Sequence, residues 1–296
     1  AAGYRNIEDV IENGESLKPG DKVYANNMGK TLAMYLIGEE PMEKGMRILG
    51  AHIDSPRLDL KQNPLYEDSE LALLDTHYYG GVKKYQWVTL PMALHGVVVK
   101  KSGEVIPVVI GEQEDDPVFG ISDLLIHLSG KQLEKKASEV VEGESLDLLV
   151  GSIPLEGKEE EPVKAQILSI LKEKYDIEEE DFLSAELEVV PAGKARDYGL
   201  DKSMIMAYGH DDRVCAYPSF MAMLAQDKVK YTSVCLLVDK EEIGSVGATG
   251  MESRFFENTT AEVMNAAGQY SELALRRALK NSMMLSSDVS AAFVPN

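Results

Sequence analysis

Two glutamates side by side, Glu241-Glu242, follow a short apolar run at 231–238. That run is β-branched and aliphatic, the composition of a buried, parallel strand. Adjacent carboxylates repel, and each needs a cation or a hydrogen-bond donor to stay ionised. At the carboxyl end of a strand in an open α/β sheet, where such sheets place their ligands, the pair has chemical use. One side chain can hold a metal while its neighbour faces a water. A charged turn after a core strand has the same composition, so the pair alone decides nothing. Three other stretches repeat the pattern. Residues 46–51 run straight into His52-Ile53-Asp54. His52 and Asp54 are two apart and share one side of an extended segment, where the acid can set the imidazole tautomer. Residues 204–207 lead to Gly209-His210-Asp211-Asp212, ahead of a helix expected over 213–225. Either acid there is an ordinary helix cap or a bridge between two ions, with His210 ranked below Asp211 as a ligand. Finally, a short strand at 282–286 is followed by Asp288.

His52, Asp211, Glu241, Glu242 and Asp288 form a donor set of one nitrogen and several carboxylates. Such a set suits a pair of zinc, manganese or cobalt ions better than a structural zinc, which prefers thiolates. A dinuclear site activates a water and clamps the oxyanion of a tetrahedral intermediate. It then needs one unligated carboxylate to carry protons to the leaving amine, and either Glu241 or Glu242 can serve.

The elements that must position these residues are legible in outline. Short strands are expected at 22–25, 31–37 and 46–51, the first two joined by a turn at 27–30. The character changes from about 60 to 200, where strands are expected at 87–94, 95–100, 103–110 and 185–190. Helical periodicity marks 123–133 and 164–174 within that stretch. His77, His95 and His127 lie there without carboxylates at suggestive spacing and read as structural or surface residues. After the glutamate pair, residues 244–250 (Gly-Ser-Val-Gly-Ala-Thr-Gly) read as a flexible loop at the mouth of a site. They are not a dinucleotide fingerprint, whose first two glycines are closer together. One amphipathic helix is expected over 259–281, capped by Thr259 or Thr260.

Composition narrows the function classes. The chain has 296 residues, ample for one large domain or two ordinary ones, and 44% are hydrophobic, as in a globular protein. No apolar run approaches the roughly 18–20 residues of a membrane span. Thirty basic against fifty acidic residues give a net charge of −20, which argues against nucleic acid or an anionic membrane as partner. Cys215 and Cys235 follow no paired or metal-binding spacing, so a reducing, cytoplasmic location is expected.

The segments 50–57 (Gly-Ala-His-Ile-Asp-Ser-Pro-Arg), around Asp211, 241–245 (Glu-Glu-Ile-Gly-Ser) and 286–288 (Ser-Ser-Asp) resemble the aspartyl aminopeptidase and vacuolar aminopeptidase I family of dinuclear metallo-aminopeptidases. The resemblance implies an α/β fold, a mixed central sheet flanked by helices as in zinc exopeptidases. The catalytic domain would be split between 1–60 and 201–296, with an inserted, mainly β dimerisation domain at 61–200. It further implies His52, Glu242 and Asp288 as metal ligands and Asp211 as the bridging carboxylate. Glu241 would be the general base and Asp54 the partner orienting His52, while Asp212 stands where relatives often have Asn. Two divalent ions are implied, zinc first, with cobalt or manganese as alternatives. The implied substrates are peptides with a free, acidic or neutral N-terminal residue, and the implied assembly is a dodecamer. A residue of the inserted domain that reaches a neighbour's site is also implied, in the region of 85–88 but unassigned. The family's fifth ligand is a His near the C-terminus. No His follows Asp288 here, so the sequence is expected to be a fragment lacking the C-terminal part. The alternatives are another dinuclear amide hydrolase, such as a deacylase, and a non-catalytic assembly protein.

Overall fold

The computed structural model describes residues 2–290. The chain divides into two compact units, one built from the stretch up to Ser55 and the stretch from Gly209 onward, the other from Pro56–Tyr208. The joins therefore fall at 55/56 and 208/209 rather than at 60/61 and 200/201. A long strand beginning at Arg57, and a small hairpin ending at Met206, both belong to the insert.

The first stretch contributes β1 (Arg5–Asn6), α1 (Ile7–Glu12), β2 (Lys22–Asn27), β3 (Thr31–Leu36) and β4 (Arg47–His52). The insert contributes β5 (Arg57–Asp68), β6 (Leu71–Tyr79), β7 (Met92–Val99), β8 (Val105–Ile110), α2 (Gly130–Leu133) and β9 (Leu148–Gly151). It continues with α3 (Pro162–Tyr175), β10 (Ala185–Pro191), β11 (Arg196–Tyr198) and β12 (Met204–Met206). The first unit then resumes with α4 (His210–Leu224), β13 (Ser233–Val238), α5 (Phe255–Ala266), α6 (Glu272–Asn281) and β14 (Met283–Ser286).

In the first unit the sheet order is β1-β2-β3-β13-β4-β14. β13, β4 and β14 are mutually parallel, while β3 runs antiparallel to β13, so the sheet is mixed. Alternate residues of β13 go to opposite faces, as a strand's two-residue period requires. Val234 and Leu236 pack with Ile7 and Val10 of α1, Val263 and Met264 of α5, and Leu275 of α6. Cys235 and Leu237 pack with Ala216 and Met223 of α4. Both faces are covered by helices, which is why β13 reads as an unbroken apolar run.

The insert is an antiparallel sheet in the order β8-β7-β10-β5-β6-β9, with α3 packed against its core. Leu58, Leu74, Leu94 and Val189 point into that core. β11 and β12 form a separate two-stranded ribbon.

Several sequence expectations need correction. The helix expected over 259–281 is two helices, α5 and α6. Between them Gly268 adopts a positive φ of 68°, and the Ser271 hydroxyl accepts from the Ala274 amide to start a new helix. The periodic leucines of 123–133 stay exposed and mostly non-helical; only Gly130–Leu133 is helix. The strands expected at 87–94 and 95–100 are one, β7, and Trp87 instead closes a turn of 3₁₀-helix at Lys84–Gln86. No helix of the described residues is long and apolar enough to cross a membrane.

Candidate metal centre

Backbone register sets the site. In the parallel pairing of β13 with β4, Val238 lies opposite His52, and in that of β14 with β4, Ser286 lies opposite Gly50. Ser287 donates its amide to the Gly50 carbonyl at 2.8 Å, extending the pairing one step. Three neighbouring strands therefore end side by side, carrying His52 at the tip of β4 and Glu241-Glu242 and Asp288 just past the tips of β13 and β14. This is the crevice in which open parallel sheets bind ligands. Asp211 arrives differently from the sequence expectation. The apolar run before it, β12, lies in the insert's small ribbon. Asp211 sits instead at the start of α4, where Asp211 and Asp212 have non-helical backbone angles and a cis peptide joins them. The Ser55 hydroxyl donates to the Asp211 carbonyl at 2.8 Å and holds this turn beside the end of β4.

His52 is the centre of the arrangement and only 3% exposed. Its Nδ1 lies 3.0 Å from the Asp54 carbonyl and 3.2 Å from Asp54 Oδ1. With the proton on Nδ1, Nε2 presents its lone pair to the opposite side. There Asp211 Oδ1 stands at 3.1 Å, and Glu241 Oε2 and Asp288 Oδ1 each at 3.9 Å. Burial alone lowers the imidazole pKa, but the Asp54, Glu241 and Asp212 carboxylates outweigh it and raise it above the usual value. The Glu242 carboxyl is also pushed up, by burial and then by the Asp211 carboxylate. The rise at His52 is a sign of negative charge gathered without enough positive charge, whereas that at Glu242 comes from burial first and neighbouring carboxylates second.

Asp54 does two jobs from a buried position. Besides meeting His52, its Oδ1 accepts the Glu241 amide and its Oδ2 the Glu242 amide, both at 3.2 Å. One carboxylate thus joins the tip of β4 to the turn after β13.

The residues fit a cation. His52, Asp211 and Glu242 present ligand atoms that all lie within 4.8 Å of one another, as do those of His52, Asp212 and Asp288. Asp212 is fully buried, and among the described residues no N–H or O–H donates to either of its carboxylate oxygens, which have only the weak Cys215 thiol beside them. A buried carboxylate in that condition is costly unless a positive charge meets it. The sequence ranked Asp212 behind Asp211. Its burial is the feature no spacing rule reveals, because the turn alone decides which of two adjacent acids faces inward. The structure brings His52, Asp54, Asp211, Glu241, Glu242 and Asp288 together. His95 pairs with Glu112 at 2.8 Å and His77 stacks on Tyr78, both within the insert.

Comparison with known proteins is consistent with this geometry. The profile of the peptidase family described as aminopeptidase I zinc metalloprotease (M18) matches residues 1–296. A probable M18 family aminopeptidase 1 from Clostridium acetobutylicum is 68% identical over 296 residues, covering 100% of this chain and 64% of the relative. The chain thus spans somewhat under two-thirds of that relative's length. The crystal structure of aminopeptidase I from the same organism matches with a TM-score of 0.91 and 66% identity, over 99% of this chain and 64% of that one. The S. cerevisiae mApe1 dodecamer matches in fold, with a TM-score of 0.72 at 21% identity, over 99% of this chain and 65% of that one.

Proposed function

Because the chain belongs to the M18 family of aminopeptidase I zinc metalloproteases, we propose that it forms the metal-binding core of an enzyme removing single N-terminal residues from peptides. The observation that carries this reading is the set of Asp211, Glu241 and Asp288 oxygens within 3.1–3.9 Å of His52 Nε2, gathered where three adjacent parallel strands end beside the start of α4.

In this reading His52, Glu242 and Asp288 would be ligands of two divalent ions and Asp211 the carboxylate shared between them, with the buried Asp212 beside His52 and Asp288. Zinc is the family's metal, with cobalt and manganese compatible with the same donors. When bound, the pair acidifies a water and polarises the scissile carbonyl. Asp54 keeps the His52 proton on Nδ1, so that Nε2 remains a donor of its lone pair. Glu241, half exposed and facing the same space, takes a proton from the attacking water on Oε2 and delivers it to the leaving amine. Its amide is pinned by Asp54, so the carboxylate is presented in a fixed direction. We further propose that the insert is the surface through which subunits pair, in an assembly like the mApe1 dodecamer. The free thiols of Cys215 and Cys235 support a reducing, cytoplasmic location.

The test is amino-acid release by the gene-length protein from matched peptides with free and acetylated N-termini, with and without a chelator. Chelator-sensitive release from the free peptides alone is expected. Hydrolysis of the acetylated peptides instead would indicate a deacylase, and no release from either would remove the peptidase reading.

A further inference from the structure

Glu241 and Glu242 sit in a turn held from two sides, and only one support belongs to the chemistry described so far. Asp54 takes their amides on one side. On the other stands Asp239, 4% exposed and immediately after β13. Thr249 donates its hydroxyl to Asp239 Oδ2 at 2.5 Å. The Asp239 amide in turn donates to the Thr31 hydroxyl at 3.2 Å, and that hydroxyl donates to the Thr249 carbonyl at 2.5 Å. Asp239, Thr249 and Thr31 thus close a cycle of three hydrogen bonds in buried surroundings. One residue earlier, Asn27 Nδ2 donates to the Ala248 carbonyl at 2.8 Å. The loop after the glutamates, expected to be flexible, is therefore fastened along its far end to the β2–β3 hairpin.

Within the loop the backbone is equally committed. The Ile243 and Ser245 amides both donate to the Lys240 carbonyl, at 3.3 and 2.7 Å. A side chain at Gly250 would place Cβ 2.0 Å from the Ser245 carbonyl oxygen, so only glycine closes the turn. The result is a short rigid span between two buried carboxylates, from which the Glu241 and Glu242 side chains project. Besides the Thr249 hydroxyl, Asp239 Oδ2 has the Lys240 ammonium at 3.9 Å. A buried carboxylate is expensive even when paired, and keeping one here is better explained by conformational specificity than by stability.

We propose that Asp239 is a positioning residue: acting through Thr249 and Thr31, it fixes the loop so that the Glu241 and Glu242 carboxylates face His52. The kinetic consequence rests on Glu241 being the general base, whereas the effect on metal binding does not.

The test compares Thr249→Val, which keeps the shape but removes the donor, with Thr249→Ser, which restores the donor, in the gene-length protein. Zinc affinity is measured by competition with a chromophoric chelator, and kcat and KM on a free peptide. Thr249→Val is expected to weaken zinc binding about tenfold, as loss of outer-shell partners does. It is also expected to lower kcat by up to about 10²-fold with KM within about twofold, the cost of a displaced catalytic group. Thr249→Ser is expected to recover both. Wild-type zinc affinity and kcat in the Val variant would overturn the proposal, whatever its melting temperature. So would a Ser variant as impaired as the Val one. If the Val variant does not fold, Thr249→Ala, which also lacks the donor, carries the same comparison, with undiminished zinc affinity and kcat overturning the proposal. If the wild-type protein cleaves no peptide, the peptidase reading fails on its own and zinc affinity alone decides the role of Asp239.

Discussion

At the scale of single residues, the site is a problem in charge. One imidazole is surrounded by Asp54, Asp211, Glu241 and Asp288, and its pKa is raised despite burial. The Glu242 carboxyl is raised as well. Each folded-state value above the unfolded one means that the folded protein holds a proton the unfolded chain has released. The stabilisation is complete below the unfolded values, about 4.3 for Glu and 6.5 for His, and is lost as pH rises through the folded ones. The chelated protein is therefore expected to melt at a higher temperature near about pH 6 than near about pH 8, the range in which an imidazole switches. His52→Gln should shrink that difference in a thermal scan. Zinc retention should run the other way and strengthen with pH, because ligands must shed protons to bind. Glu241→Gln keeps the size and the Asp54-bound amide but removes the base. It is expected to lower kcat by about 10²–10⁴-fold, the usual worth of general-base catalysis. Metal content, read by elemental analysis, should stay at the wild-type level; a loss of metal would make Glu241 a ligand instead.

At the scale of elements, the site depends on strands ending in register, and this part was legible. Apolar runs ending in His52, Glu241-Glu242 and Asp288 could be read directly, because β13 and β4 are buried strands with no polar interruption. Other elements were hidden for identifiable reasons. β5 (Arg57–Asp68) carries Asn63-Pro64 in its interior, a pair that reads as a turn, and it is accommodated by a register shift between Leu60 and Leu65. Helix α1 is only six residues long, too short for periodicity to stand out. Leu124, Leu125, Ile126 and Leu128 mimic a helical pattern but remain exposed, so periodicity there reported composition rather than a buried face. At the α5–α6 break, the signals were present as Gly268 and Ser271 and were overridden by the amphipathic pattern on either side. The weight of that cap can be measured. Ser271→Ala removes the acceptor of the Ala274 amide at 3.1 Å and is expected to cost about 1 kcal/mol in denaturant unfolding. Peptide hydrolysis should be unaffected, since α6 contributes no group to the site.

At the scale of the whole molecule, the two units are separately cored. The insert buries Leu58, Leu74, Leu94, Leu146, Leu148 and Val189 among its own side chains, and its sheet is complete without a strand from outside. Its ends also meet: the Tyr208 hydroxyl donates to the Pro56 carbonyl at 2.7 Å. Residues 56–208 expressed alone are accordingly expected to fold, with β-type circular dichroism and a cooperative melt; a non-cooperative melt would show that the unit depends on the rest of the chain. The same closeness holds on the other side of the joins, where the Ser55 hydroxyl reaches the carbonyl of Asp211, two residues past Gly209. Chain ends that nearly touch are where whole segments can be added or removed with little disturbance. A recombination event at codons 55 and 209 could therefore replace or delete the insert in one step while leaving the metal-binding codons untouched on either side. Lineages sharing this cradle are free to change the insert at a different pace from the metal-binding residues.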